Sequence, residues 1–480
     1  DPQTIMMNEI LEQLFETFTG QPASEMKELK SSGSNRRYYR ISGPDGKTLV
    51  GVAGLDVNEN NAFVSLARHF RSKGINVPEV LAVSADGMCY LQEDLGDVTL
   101  YDAISSGRES GEYAAAETEL LKKTVRMLPE IQFRGAEGLD FNVCFPEPAF
   151  DERMVMFDLN YFKYCFLKAT GIEFNEIRLQ DDFDKLKEDL LGEDTVTFLY
   201  RDFQARNVMV KDGEPYFIDF QGGRRGPVYY DVASFVWQAR ARYPENLKDE
   251  LVRTYLEALK PFMPDIDENH FHDRLRLFVL FRTLQVLGAY GFRGYFEKKP
   301  HFIASVPYAM DNIRKLMQKP FGRYPYLSSL LSELAGMQKF YVNAEDRRLH
   351  VKIFSFSYKK GIPADDSGNG GGYVFDCRSV NNPGKFEYYR QFIGRDAEVI
   401  KFLEDDGEIL KFLDNVYGLV DAHVKRFIER KFTSLQVCFG CTGGQHRSVY
   451  SAEHLAEHLA KKFDIRVTLT HRELGIEREL

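Results

Sequence analysis

At 480 residues the chain is too long for one hydrophobic core, so two or three domains are expected. Its 44% hydrophobic and 28% charged residues are those of an ordinary soluble globular protein rather than a disordered or fibrous one. A formal net charge of −10 argues against nonspecific attraction of the whole surface to nucleic acid or anionic membrane, and leaves room for a local basic pocket.

No apolar run reaches the roughly 18 residues that would suggest a membrane span. The six cysteines (Cys89, Cys144, Cys165, Cys377, Cys438, Cys441) are scattered, and no secretory leader precedes them. Both features favour free thiols in a reducing, cytoplasmic compartment. Residues 5–18 carry apolar side chains at helical spacing (Ile5, Ile10, Leu11, Leu14, Phe15, Phe18), and Gly20 and Pro22 stop the helix. From Glu28 the pattern changes to strands and turns, with a Ser-rich turn around Gly33. Residues 63–73 read as a helix, and Glu93-Asp94-Leu95-Gly96 follows a strand. Residues 99–190 are mostly helical by periodicity. Within them Asp151, just after a proline turn, suits a helix N-cap and a contact to a substrate hydroxyl equally well.

The stretch from Thr197 to Asp231 carries the chemistry. One apolar run leads to Tyr200-Arg201-Asp202, with Asn207 five residues on, and a second, residues 215–218, ends in Asp219-Phe220-Gln221. Phosphoryl transfer needs a carboxylate beside the attacking hydroxyl and oxygen ligands for a cation on the nucleotide phosphates. Protein kinases supply them as H-R-D-x-x-x-x-N followed by D-F-G, and the order and spacing match. Three polar residues at the ends of two adjacent strands are better explained by a kinase centre than by a surface hairpin. In that frame Ser32, Gly33 and Ser34 occupy the position of a phosphate-covering loop, although such a turn also suits a plain hairpin. Glu93 and Leu95 lie where backbone groups would meet adenine. The strand at residues 48–53 lacks the lysine that contacts the α- and β-phosphates, and Lys47, Arg36, Arg37 and Arg40 are the available substitutes. Residues 271–296 and 306–317 continue as helices, so 90–325 is a largely helical lobe.

YRDFQARN, FIDFQ and GPVYYDVASF resemble the aminoglycoside-phosphotransferase/choline-kinase superfamily. With LQEDLGD, RRYYRI and RTLQVLGAYGF, they are similar to the anomeric kinases of cell-wall recycling, which phosphorylate N-acetylmuramate and N-acetylglucosamine at C1. The resemblance covers about residues 5–320. It implies a bilobal α+β kinase-like fold using ATP and Mg²⁺, with Asp202 as base, Asn207 and Asp219 as magnesium ligands, and Arg201 and Asp231 supporting the catalytic loop. Asp151, Gln204 and Arg206 are candidates for the sugar.

Beyond a linking helix at 325–337 the pattern resets. A strand (349–357), a flexible DDSGNGGG loop, a second strand (373–378), helices (397–432), a third strand (435–439) and a helix (449–463) alternate as in a small α/β domain with a mainly parallel sheet. The third strand runs into Cys441-Thr442-Gly443-Gly444-Gln445-His446-Arg447-Ser448. Glycines let backbone N–H groups close on an anion, and Arg447 can chelate two phosphate oxygens. The loop also fits the C-x₅-R-S pattern of cysteine phosphatases, with Asp376 as the candidate general acid, but Gly440 replaces their usual histidine before the cysteine.

SFSYKKGIP, YVFDCR, NNP, CTGGQHRSVY and the final THREL are similar to the C-terminal domain of RapZ-type RNase adapter proteins, over about 349–475. This resemblance implies a site for an amino-sugar phosphate, glucosamine 6-phosphate in that family. Its ligand candidates are Asp376, Arg378, Asn382, Cys441, Thr442, Gly443, Gly444, Gln445, His446, Arg447, Ser448 and His471. It also implies RNA-linked control. However, no G-x-x-x-x-G-K-[ST] occurs anywhere and no basic run adjoins an aromatic platform, which argues against an RNA partner. The expectation is a kinase domain at 1–325 (N-lobe about 1–92, C-lobe about 97–325), a linker at 326–347, and a sugar-phosphate-binding domain at 348–480. The alternatives are a catalytically weak regulatory binding protein and a kinase–cysteine-phosphatase fusion.

Overall fold

The computed structural model describes residues 2–30, 35–192, 196–341, 348–430 and 432–480. The chain divides into two compact units, Asp1–Ala289 with Ser305–Phe340, and Tyr290–Ala304 with Tyr341–Leu480. The division differs from the sequence expectation twice. Tyr290–Ala304 groups with the second unit, and Pro325–Ala335 is a helix of the first unit rather than a linker.

The first unit opens with helix α1 (Pro2–Thr19) and an antiparallel sheet of β1 (Glu25–Leu29), β2 (Arg37–Ser42), β3 (Thr48–Ala53), β4 (Val80–Val83) and β5 (Cys89–Glu93), in the order β1-β2-β3-β5-β4. Strand alternation sorts its residues. Tyr39, Ile41, Ala53, Cys89 and Leu91 face α1 and bury Met7, Leu11 and Phe15. Tyr38, Val50, Val52, Tyr90 and Gln92 point the other way. Helix α2 (Val57–Ser72) starts six residues before the apolar period does. Asp56 caps it by accepting the N–H groups of Asn58 (3.0 Å) and Glu59 (3.2 Å), and its first turn is polar.

The rest of the first unit is helical around two short ribbons. β6 (Thr197–Leu199) pairs with β9 (Arg224–Gly226), and β7 (Val208–Lys211) with β8 (Glu214–Phe217). The two runs that carry the candidate residues are therefore in different ribbons, not in neighbouring strands. They are joined by the Ile218 N–H, which donates to the Asn207 carbonyl (3.1 Å), and by the Tyr200 hydroxyl, which donates to the Ile218 carbonyl. Helix Tyr229–Val236 is buried along its whole length beneath them. Among the described residues one stretch, Glu268–Phe296, is long and apolar enough to span a bilayer by composition, and 67% of its most apolar window is buried.

The second unit holds a sheet of β10 (His350–Ser357), β11 (Tyr373–Asp376), β12 (Ser434–Cys441), β13 (Arg466–His471) and β14 (Ile476–Glu479), in the order β11-β12-β10-β13-β14. Its pairings are parallel except β13 with β14, an edge strand that the sequence pattern does not reveal. Helix Arg447–Lys462 packs on β10, β12 and β13. Cys438 and Cys441 have C-x-x-C spacing, which the scattered reading of the cysteines passes over. Three residues apart on a strand they face opposite sides, and all six cysteines are free.

Candidate functional site

After β6 the chain turns sharply at Arg201, whose φ of 76° is a strained left-handed conformation for a non-glycine residue. Two buried carboxylates hold it there. Asp231 accepts the N–H groups of Tyr200 (2.8 Å) and Arg201 (3.0 Å), and Asp158 takes the Arg201 guanidinium in a fork (3.0 and 3.1 Å). Burial pushes the Asp231 carboxyl up to about 7, against the pull of those two N–H bonds and of Arg282. Next along the chain, the Asp202 side chain is 43% exposed, with Arg282 Nη2 4.0 Å away. Sequence reasoning missed Arg282. It comes from helix Glu268–Gly291, and only the RTLQVLGAYGF likeness touches it.

The Asn207 amide donates to the Asp202 carbonyl (2.8 Å), closing the loop and leaving Oδ1 as the side chain's acceptor end. The Ala205 N–H is taken by Gln238 Oε1 (3.0 Å). Asp219 also has a positive φ, 60°, and its Oδ1 accepts from Gln221 Nε2 (2.5 Å). Burial and then the neighbouring charge of Asp202 push its carboxyl above the usual range, a penalty that a bound cation would relieve. Among the described residues no three His, Cys, Asp or Glu side chains form a metal cage. An Asp carboxylate and an Asn oxygen instead fit a hard cation completed by phosphate and water.

The other first-unit candidates fare differently. Ser32, Gly33 and Ser34 lie outside the described residues. Glu93 donates its N–H to the Glu79 carbonyl (2.9 Å), and its carboxylate takes Lys211 (3.2 Å) and Arg71 (3.6 Å), so its side chain is engaged in ion pairs at the end of the interior strand β5. Leu95 is buried beside it. Asp151 is an N-cap, accepting the Met154 N–H at 2.9 Å. Arg206 is exposed and stacks on Tyr101 at 4.5 Å, and Gln204 receives the Asn207 N–H on its carbonyl (2.9 Å).

In the second unit a cavity of about 340 Å³ is lined by Asn382, Gly384, Arg390, Cys441, Thr442, Gly443, Gln445, His446 and Arg447. The loop that forms it is tightly built. Gly444, at φ 70°, donates its N–H to Cys441 Sγ (3.2 Å), and a Cβ there would lie 2.9 Å from Ser357 N. Ser448 Oγ is 3.1 Å from the same sulfur, and His446 Nε2 donates to the Phe392 carbonyl at 2.7 Å. Arg447 is 4% exposed, and its Nη1 donates to the carbonyls of Arg378 (3.0 Å) and Val380 (2.8 Å). Its Nε is buried without a hydrogen-bond partner, which suits an acceptor in the cavity. So Arg447 Nη1 is committed to the fold, and Nε is left for a ligand.

Five candidates fall outside this lining: Gly444 and Ser448, which brace the loop through Cys441 Sγ, and Asp376, Arg378 and His471. Asp376 and Arg378 pair with each other (2.7 Å). His471 is fully buried, with Nδ1 2.7 Å from Ser355 Oγ and Nε2 2.9 Å from Glu453. Arg390, which sequence reasoning missed, joins from the 3₁₀ turn Glu387–Gln391.

A strand-rich lobe, a helical lobe and a catalytic loop braced from beneath define a kinase-fold phosphotransferase acting on a hydroxyl acceptor. The chain belongs to the phosphotransferase enzyme family, whose model matches residues 25–267. Residues 349–475 match the RapZ C-terminal domain. N-acetylmuramate/N-acetylglucosamine kinases of Neisseria meningitidis and Pseudomonas aeruginosa are similar to the first part. They are 28% and 27% identical, over 63% and 66% of this chain and 88% and 89% of theirs. A nucleotide-binding protein of Chromohalobacter salexigens is 38% identical over 28% of this chain, which spans only 43% of that relative's length.

Proposed function

We propose that the protein is an ATP-dependent sugar kinase that phosphorylates C1 of N-acetylmuramate or N-acetylglucosamine in cytoplasmic cell-wall recycling. Its second unit binds an amino-sugar phosphate. The observation that carries the kinase reading is the exposed Asp202 carboxylate on a loop locked by Asp231, Asp158 and Asn207. The sugar comes from the two related kinases. Asp202 accepts the proton of the acceptor hydroxyl as its oxygen attacks the γ-phosphorus, and ADP leaves with the electron pair of the broken P–O bond. Arg282 places a positive charge 4.0 Å from the Asp202 carboxylate. Asp219 and Asn207 would hold Mg²⁺, which neutralises developing charge on the phosphates. ATP consumption measured against N-acetylmuramate, N-acetylglucosamine, choline and an aminoglycoside tests this reading. Turnover of the last two alone would reject the sugar.

For the second unit, the orphaned Arg447 Nε and the glycine loop support a phosphate ligand, and glucosamine 6-phosphate is what the RapZ-like match suggests. Phosphatase chemistry is disfavoured. Gly440 leaves no room for the histidine such enzymes carry, since a Cβ would lie 2.4 Å from the Tyr358 ring. Asp376 is bound to Arg378 outside the cavity.

A further inference from the structure

The kinase reading leaves one gap, the absent strand lysine, and the four substitute cations have separate fates. Lys47 is exposed on a turn. Arg37 forks onto Glu28 at 2.9 Å, and Arg40 is held by Asp94 (2.7 Å) and Asp97 (2.8 Å). Arg36 alone of the four is turned inward, 3% exposed. Its Nη1 donates to the Tyr90 hydroxyl (2.9 Å), its Nε lies 3.8 Å from Glu59 of α2, and its Nη2 lies 3.7 Å from Asp219.

In kinases the strand lysine is defined by such neighbours, a glutamate from the first helix and the aspartate that ligates the metal. We propose that Arg36 is the cation that receives the nucleotide's α- and β-phosphates in this chain, reaching from the start of β2 instead of from β3.

The local packing gives the reason for the exchange. The β2–β3 register sets Arg37 against Ala53, so Arg36 comes next to Gly54, where a Cβ would lie 2.8 Å from Arg36 Cγ. The missing side chain at Gly54 makes the room. Asn60 locks the same corner by donating to the carbonyls of Gly54 (2.8 Å) and Gly87 (3.0 Å). Phe63 of α2 stacks on Tyr90 and on Phe220, which follows Asp219, so the helix, the sheet and the metal-binding turn meet around this guanidinium. On β3, Val52 points to the same face as Tyr90 and is fully buried, leaving an apolar residue where a lysine would reach the phosphates.

The inference rests on the kinase reading, and its test reads binding, not turnover. In the full chain, calorimetry with MgADP and with adenosine is compared for wild type, Arg36→Met, Arg36→Lys and Arg36→Met/Val52→Lys. Arg36→Met should weaken MgADP at least about tenfold, the scale of a lost charge-assisted pair, and leave adenosine within about twofold. Arg36→Lys should fall between, and the double variant should regain part of the MgADP affinity, which a purely structural arginine would not allow. Equal loss of MgADP and adenosine in Arg36→Lys, or unchanged MgADP affinity in Arg36→Met, overturns the assignment. No nucleotide binding by the wild type removes the kinase reading first, and this inference with it.

Discussion

Asp231 offers the sharpest test of how the catalytic loop is held. In Asp231→Ala the N–H groups of Tyr200 and Arg201 lose acceptors at 2.8 and 3.0 Å, the first in a buried and the second in a half-buried setting. Each orphaned N–H costs about 1–3 kcal/mol, so the first unit should lose about 2–6 kcal/mol. The left-handed Arg201 costs about 1–3 kcal/mol to maintain and is sustained only by its surroundings, so the loop should relax. Displacing Asp202 by about 1 Å is enough to lower kcat about 10²-fold. Asp231→Asn keeps the volume but offers one acceptor and turns an NH₂ toward the other N–H, so it should share most of both losses. Urea unfolding and steady-state turnover of ATP measure the two effects separately. Near-normal kcat in a folded Asp231→Ala protein would refute the brace.

Asp202→Asn should lower kcat by about 10²–10⁴-fold while nucleotide affinity measured by calorimetry survives. In the second unit, Arg390→Ala should weaken glucosamine 6-phosphate binding at least about tenfold, whereas Cys441→Ser should change it little and phosphate release should be undetectable in both. His350 is pushed from its ordinary 6.5 to about 4, by burial first and then by Arg466 and Lys352. Its folded value lies below the unfolded one, so neutral imidazole is favoured by folding and stability is lost as pH falls from 6.5 toward 4. Between pH 7 and 5 the loss should be about 2 kcal/mol in urea unfolding, and His350→Gln should flatten it.

Asp202, Asn207 and Asp219 are legible in the sequence because loops within 20 residues bring them together, and their spacing is the geometry. The cation proposed for the phosphates is not, because its position depends on strand register. In the proposed assignment Arg36, just ahead of β2, does what a lysine does from β3, and only Gly54 hints at the room it needs. Arg282 lies 80 residues from Asp202 on a helix without a local motif. In the second unit the cradle's glycines and Arg447 announce a cavity. Motif membership alone, however, cannot separate a lining residue from a supporting one. His471 is consumed by Ser355 and Glu453, and Asp376 by Arg378. The start of α2 is hidden because its capping turn is polar where the apolar period would have to begin.

By the proposed function this chain moves the γ-phosphoryl group of ATP to the anomeric hydroxyl of an N-acetylated amino sugar. Phosphorus NMR of the full chain with MgATP and N-acetylmuramate or N-acetylglucosamine tests it most directly. The expected products are stoichiometric ADP and a sugar phosphate whose phosphorus couples to the anomeric proton. A product phosphorylated at C6, or ATP hydrolysed with no sugar phosphate formed, would contradict it.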